Sequence, residues 1–382
     1  MKKTISTLLS GIILLSTLAW CTNTSTQTKT NEVKTYKIWV IAPLSWPAAN
    51  YWEDAVNSYK YIVDKFNISQ SNTKIELIIE DGKCDGKSAS SAAQKLITID
   101  QVQIIIGWFC SAETIAAWAI AQPNKVVMIS AVSSSPDIVN IWDYIFRFYN
   151  DAYVTKKLSE YIKSIWVNKI FVLVENTDVS VWFLKWLKSH FTGKIESQMY
   201  QKEEKDFPMI AKQIKSKTNE SDFIIFLPSS DESTIWIINA FDKEWILTMM
   251  KWRIASNEIV NSAVSYNALW TKLDWIKTTQ LVNLWSLPSS AKTLSQEMQN
   301  NFTITSDPLW SILEADAMSL AIDAIVNVGD NGELIKNYFT SFNTDTPIKW
   351  YLGDYYFTPE RDIHGLNFLV YEIKDGKLVN GK

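Results

Sequence analysis

From Thr35 onward, short runs rich in β-branched and aromatic residues alternate with stretches of helical periodicity, and this alternation narrows the fold more than any other feature. The runs 37–43, 74–80, 102–107, 125–130, 169–175, 223–227 and 279–284 read as strands. Between the first two, Ala55, Tyr59, Ile62, Val63 and Phe66 fall on one helical face. The segments 88–97, 111–121, 151–165, 180–191, 207–216 and 232–241 also read as helices. Strand–helix–strand units of this kind build mostly parallel sheets covered on both faces, and this many strands needs two such sheets. The C-terminal part adds helices near 307–328 and 332–342 and extended pieces at 353–357 and 365–373. Asp375-Gly376-Lys377 then supplies the polar turn of a terminal hairpin.

A chain of 382 residues suits two domains, and with 47% hydrophobic residues it has material for two cores. A net charge of -4 gives no basic footprint for nucleic acid. The N-terminus has the layout of an export signal: Lys2 and Lys3, then an apolar stretch over 5–19. It ends in Leu18-Ala19-Trp20-Cys21, similar to a lipoprotein signal with one altered letter, so Cys21 is expected to carry a lipid. A plain secretory signal is the alternative. Either way the mature chain is expected outside the cytoplasmic membrane, with 21–34 as a polar tether. With Cys21 lipidated, Cys84 and Cys110 remain as an even pair, expected to be disulfide-bonded in an exported chain rather than two buried thiols.

Eighteen Trp stand against eleven Gly. Together they make 29 of 382 residues, close to the roughly 7% that glycine alone usually takes. Trp166 and Trp245 each follow a helical pattern and precede an apolar run, the position just past a helix where glycine is favoured. Trp20 occupies the slot before the lipidated cysteine, where a large side chain should block the signal peptidase. The expectation is that most of these tryptophans are glycines in the natural protein, encoded by UGA, which some bacterial lineages read as glycine. A protein genuinely rich in Trp is the alternative.

Several motifs in order carry a resemblance across essentially the whole mature chain. They are the opening 37–47 with Trp39 and Trp46 at glycine positions, Asn50-Tyr51-Trp52-Glu53, Gly107-Trp108-Phe109-Cys110-Ser111, the serine-rich 130–136, Ile145-Phe146-Arg147-Phe148 and the tail from Gly353. In this order, with the cysteine pair, the chain resembles type I periplasmic-binding proteins of the leucine/isoleucine/valine-binding family. The resemblance implies two Rossmann-like α/β lobes joined by a three-strand hinge, with crossings near 152, 282 and 355. Lobe one would be 35–152 plus 283–355 and lobe two 153–282 plus 356–382, with the ligand held in the cleft by hinge closure. In the leucine-binding branch a disulfide joins the positions of Cys84 and Cys110.

The resemblance also assigns a pocket. Ser111 opens a helix, so its hydroxyl and the amides that follow, Ala112 first, would hold the ligand carboxylate at a positive helix end. A simple helix cap is the plainer reading of Ser111. Val132 corresponds to a backbone contact and Ser134 to a ligand-binding hydroxyl, although three serines in a row also suit a solvated loop. Tyr51 matches an aromatic wall, and Glu258 the carboxylate that pairs the ligand ammonium, against readings as a loop tyrosine and a surface charge. Two family tyrosines fall at Val181 and Ser229, which opens the ligand to other amino acids, amides or small polar solutes.

An enzyme is poorly supported. The two histidines, His190 and His364, lack a second metal ligand at useful spacing, and no nucleophile elbow, phosphate loop or dinucleotide fingerprint occurs. No cofactor or metal is expected. The resemblance implies a monomer that captures a small solute and hands it to an ABC permease. A ligand-sensing receptor component of the same fold is the rival.

Overall fold

The computed structural model describes residues 33–45, 49–107, 110–135, 137–138, 143–281, 287–304, 308–366 and 368–380, leaving Trp20, Cys21, Trp46 and Trp108 outside the described residues. The first elements are β1 (Lys34–Ala42), α1 (Ala49–Ser69), β2 (Thr73–Asp81), α2 (Gly86–Thr98), β3 (Ile104–Gly107), α3 (Ser111–Ala121), β4 (Val127–Ser130) and β5 (Ile145–Arg147). Their strands form one parallel sheet in the order β2-β1-β3-β4-β5. β3 and β4 are buried end to end, as a strand covered on both faces must be, and their continuous apolar runs reflect that.

The chain then repeats the plan. It runs through α4 (Asp151–Ser164), β6 (Lys169–Glu175), α5 (Asp178–His190), β7 (Lys194–Tyr200), α6 (Phe207–Lys217), β8 (Phe223–Leu227), α7 (Asp231–Lys243), α8 (Ile246–Met249), β9 (Ile254–Ser256), α9 (Ala263–Leu269) and β10 (Lys277–Leu281). These strands pair in parallel as β7-β6-β8-β9-β10, the same order as in the first sheet. Local chemistry fixes the helix starts. Asn150, Thr177, Asp206 and Ser230 each accept a backbone N–H of the first helical turn, a cap worth about 1 kcal/mol.

The remaining chain serves both lobes. After α10 (Ser289–Asn301), the long α11 (Pro308–Val328) packs on α1 and reaches β3 and β4, back on the first sheet. Next come α12 (Gly332–Ser341) and the strands β11 (Ile348–Trp350), β12 (Gly353–Phe357) and β13 (Ile363–His364), which form a small antiparallel sheet. A bridge between Arg147 and Asp362 ties that sheet to the end of β5. Finally β14 (Phe368–Lys374) joins β10 antiparallel, with β15 (Lys377–Asn380) beyond it. The fold is therefore two α/β lobes with three chain connections between them: after β5, after β10, and between β13 and β14.

Residue 355, where the third crossing was expected, lies inside β12, and the chain leaves the small sheet only after His364. The second crossing, near 282, falls outside the described residues. Sequence reading passed over β7 and α10 for a physical reason. β7 is an edge strand that buries only Tyr200 and leaves its polar residues exposed or half-buried, and α10 buries only Ala291, Leu294, Ser295 and Met298. Where the chain leaves β5, Tyr149 packs on Phe368 of the second sheet and on Trp310 of α11, while Phe148 meets Tyr355 and Phe357 of the small sheet.

Candidate functional site

In an open α/β sheet, ligands bind outside the carboxyl ends of the strands, where the strand order reverses direction. This chain has two such points. The first lies between β1 and β3, the second between β6 and β8. The matching order of five parallel strands in each sheet thus offers one half-site in each lobe.

At the first reversal, Ser111 opens α3 and is nearly buried. Its hydroxyl accepts the backbone N–H of Ser135 at 3.1 Å. The amides of Ser111 and Ala112 stand in the first turn of α3, where no intrahelical acceptor exists. The loop after β4 is held by its own serines: the Ser133 amide donates to Ser130 Oγ at 2.9 Å, and Ser133 Oγ pairs with Thr114 Oγ1 at 2.6 Å. Arg147 braces the same loop by donating to the carbonyl of Ser135. Between these fixed points, Ser134 is nearly buried and its hydroxyl takes no hydrogen bond from or to a described residue. Val132 beside it is half-buried. A hydroxyl kept out of the loop's own network, beside helix amides without acceptors, suits the carboxylate of a small solute.

Sequence reading missed the group that locks this half-site together. Glu113, on the third residue of α3, is fully buried. Its carboxylate accepts the amides of Cys84 at 2.9 Å and Cys110 at 3.3 Å. Those two cysteines are disulfide-bonded, with Cα atoms 5.4 Å apart. Burial pushes the Glu113 carboxyl up to about 7 against the opposing pull of the two amides. A Cβ on Gly82 would lie 2.2 Å from Glu113 Oε1, so a side chain there would displace the carboxylate from this position.

At the second reversal, Glu175 ends β6 and is fully buried. It accepts Tyr200 OH at 2.9 Å, the Ser229 amide at 2.8 Å, the Ser229 hydroxyl, and Ser233 Oγ at 3.1 Å. Burial and the neighbouring Glu175 charge drive the Tyr200 phenol far up, so it remains a donor. Ser229, one of the two positions where the resemblance places a family tyrosine, is thereby committed to Glu175. The other, Val181, packs half-buried from α5 against the core. Glu258 follows β9 and opens a single 3-10 turn, Glu258–Asn261. It is half-buried, desolvation raises its pKa, and no Lys or Arg among the described residues pairs with it. Asn257 holds this turn against β8 by donating to the carbonyl of Pro228 at 2.7 Å.

Tyr51 lies on α1, and its side chain falls outside the described residues, so its place on a pocket wall is untouched. A cross-lobe ion pair joins Asp137, beyond the serine loop, to Lys185 on α5 at 3.4 Å. His190 Nδ1 sits 2.9 Å from the carbonyl of Trp186 at the end of α5, a helix-end contact. A surface cavity lined by Tyr161, Trp252, Arg253, Lys277 and Glu372 lies at the opposite, amino-terminal ends of the second sheet's strands. No cluster of three or more metal-ligating side chains occurs among the described residues.

A family model described as periplasmic binding protein matches residues 35–242, more than half of the chain. The chain belongs to the periplasmic binding protein family. Among curated relatives of this binding protein is a leucine-, isoleucine-, valine-, threonine- and alanine-binding protein of Pseudomonas aeruginosa. It is 28% identical over 108 residues, 28% of this chain and 29% of that protein. An amino acid binding protein of the same organism is 28% identical over 88 residues, 23% of each chain. The matched segments thus span less than a third of either relative.

Solved structures extend the likeness to the whole fold. The isoleucine complex of a branched-chain amino acid transporter substrate binding protein from Streptococcus pneumoniae aligns with TM-score 0.78 at 19% identity, covering 90% of this chain and 98% of that one. A leucine binding protein from Thermotoga maritima aligns with TM-score 0.76 at 17% identity, covering 91% and 97%. A solute binding protein of an ABC transporter from Rhodopseudomonas palustris, in complex with 3,4-dihydroxy benzoic acid, aligns with TM-score 0.77 at 19% identity, covering 91% and 95%. At these identities the likeness establishes the type I periplasmic-binding fold. Among the described residues, no helix of this binding protein is long and apolar enough to cross a membrane.

Proposed function

We propose that this binding protein captures a small zwitterionic solute, an amino acid or related amide, between its lobes and delivers it to an ABC permease. The observation that carries the reading is the unpaired, desolvated carboxylate of Glu258 on one lobe, set against the free hydroxyl of Ser134 and the helix-start amides of Ser111 and Ala112 on the other. A carboxylate without a counter-ion favours an ammonium group, and amides at a helix start favour a carboxylate. Tyr51 would add an aromatic wall. The relatives named for amino acids support the ammonium end, whereas the dihydroxybenzoate complex shows that the same fold also takes acids lacking one.

In this reading the protein works without catalysis, cofactor or metal, as a monomer outside the cytoplasmic membrane, tethered by lipid on Cys21. Lobe one comprises the first sheet, α10 to α12 and the small sheet; lobe two comprises the second sheet and its helices, with the third hinge segment following His364. Closure swings the half-sites together about the three connections.

Thermal shift against a panel of amino acids, their amides and aromatic acids tests the proposal. A ligand at a hundredfold excess over its dissociation constant stabilises by about 2.7 kcal/mol, a readily seen rise in melting temperature. A shift with an amino acid or amide that is lost in Glu258→Gln supports it. A shift with benzoates alone would remove the ammonium assignment. Silence across the panel from a folded protein would favour the sensory reading or a peptide ligand.

A further inference from the structure

Thirteen of the tryptophans fall within the described residues. Five of them hold a left-handed backbone: Trp166 at φ 60°, Trp245 at 64°, Trp252 at 68°, Trp270 at 48° and Trp275 at 77°. For a bulky side chain that region is a steric outlier, and outside glycine it is visited chiefly by Asn and Asp. Yet among the described residues, five of the twelve non-glycine residues found there are Trp, two are Asp and none is Asn.

Each of the five sits in a turn whose geometry calls for glycine. Past α4, the Trp166 amide donates to Lys163 and the Val167 amide to Ile162, the bond pair of a Schellman motif with Trp166 at its left-handed position. Trp245 holds the same place after α7, donating to Asp242. Asp274 at φ -57° and ψ 136°, followed by Trp275 at φ 77° and closed by the Ile276 amide on Leu273, is a type II turn with Trp where glycine belongs. Trp270 at φ 48° and ψ -126° has the angles of the first central residue of a type II′ turn. Trp252 is the third residue of the turn that the Arg253 amide closes onto Met250.

Burial does not compensate. Trp166 is 90% exposed, Trp245 69%, Trp270 62% and Trp252 51%. Indoles left this far in water gain little of the burial free energy that justifies so large a side chain in a strained turn, and Trp275 alone of the five is half-buried, edge-on to Trp252.

We infer that the natural protein carries glycine at 166, 245, 252, 270 and 275, and that these codons are UGA read as glycine by the organism that makes it. The inference turns five strained turns into ordinary ones. It also removes the Trp252 indole from the wall of the cavity beneath the second sheet.

Mass spectrometry of peptides from the protein purified out of its own cells decides the matter. Peptides spanning the five positions are expected at glycine masses, and tryptophan masses there overturn the inference. A recombinant pair gives a second readout: the chain as written, and one carrying Trp166→Gly, Trp245→Gly, Trp252→Gly, Trp270→Gly and Trp275→Gly together. The glycine chain is expected to melt several degrees higher. An unchanged or lower melting temperature overturns the stereochemical argument.

Discussion

The Arg147 guanidinium and the Asp362 carboxylate form a buried two-point ion pair across 215 residues of sequence, with Nη2 to Oδ2 at 3.0 Å and Nε on Oδ1. Asn150 donates to the same carboxylate at 2.6 Å. The pair binds the end of β5 to the segment that leads into β14, next to two of the three connections between the lobes. The same guanidinium holds the Ser135 carbonyl, so hinge and serine loop share one cation.

Removing one partner leaves a buried charge uncompensated, which typically costs about 3–5 kcal/mol. Arg147→Met is therefore expected to lower the urea midpoint sharply, while Arg147→Met with Asp362→Leu recovers a large part of the loss. Single and double variants of equal stability would show that the pair contributes by shape alone.

Three buried carboxyls set a pH dependence. Burial raises Glu113 to about 7, Glu314 to about 8 and Asp316 to about 7. A carboxyl whose folded pKa exceeds its unfolded value takes up a proton on folding, so stability is highest near the unfolded value and falls as pH rises through the folded one. The melting temperature is expected to decline between roughly pH 5 and pH 8 and to level off above. Glu314→Gln, which keeps the hydrogen bond with Tyr59, should flatten the upper part of that decline. A melting temperature that rises over this interval would contradict the assignment.

The Cys84–Cys110 bridge joins positions 26 apart in sequence, and a loop of that size is worth roughly 3 kcal/mol in the chain-entropy account. Reduction, or Cys84→Ser with Cys110→Ser, is expected to lower stability by about that much. Because Glu113 grips both cysteine amides, the reduced protein should still fold. Glu113→Ala in the reduced protein should then lose more stability than in the oxidised one, as equilibrium denaturation of the four forms would reveal.

Glu258 separates binding from stability. A desolvated carboxylate without a counter-ion contributes nothing to the unliganded fold. Glu258→Gln is expected to leave or slightly raise the melting temperature of the free protein. Loss of a charge-assisted hydrogen bond of about 1.5–3 kcal/mol should weaken amino acid binding some ten- to a hundredfold. Calorimetric titration checks this, with Ser134→Ala expected to cost less because its hydroxyl is neutral. A Glu258→Gln protein that binds as before would take Glu258 out of the pocket.

Buried strands such as β6 and β8 were legible from sequence because they are apolar on both faces and have no other reading. The edge strand β7 was not, since half its side chains meet water. At the first half-site Ser111 and Ser134 stand out through a helix start and a serine-rich turn, signals that are local in sequence. Glu113 and Glu175 were invisible for the opposite reason. A charged residue in a helix or at a strand end reads as solvated, and only the fold reveals the donors that converge on it, Cys84 for one and Ser229 for the other.

The antiparallel pairing of β10 with β14 has a consequence for how such a chain matures. β10 ends at Leu281, but its neighbour starts only at Phe368, and α1 waits for its main partner until α11. A chain that folded from its N-terminus would therefore leave both cores open along one side until the distal segments joined them.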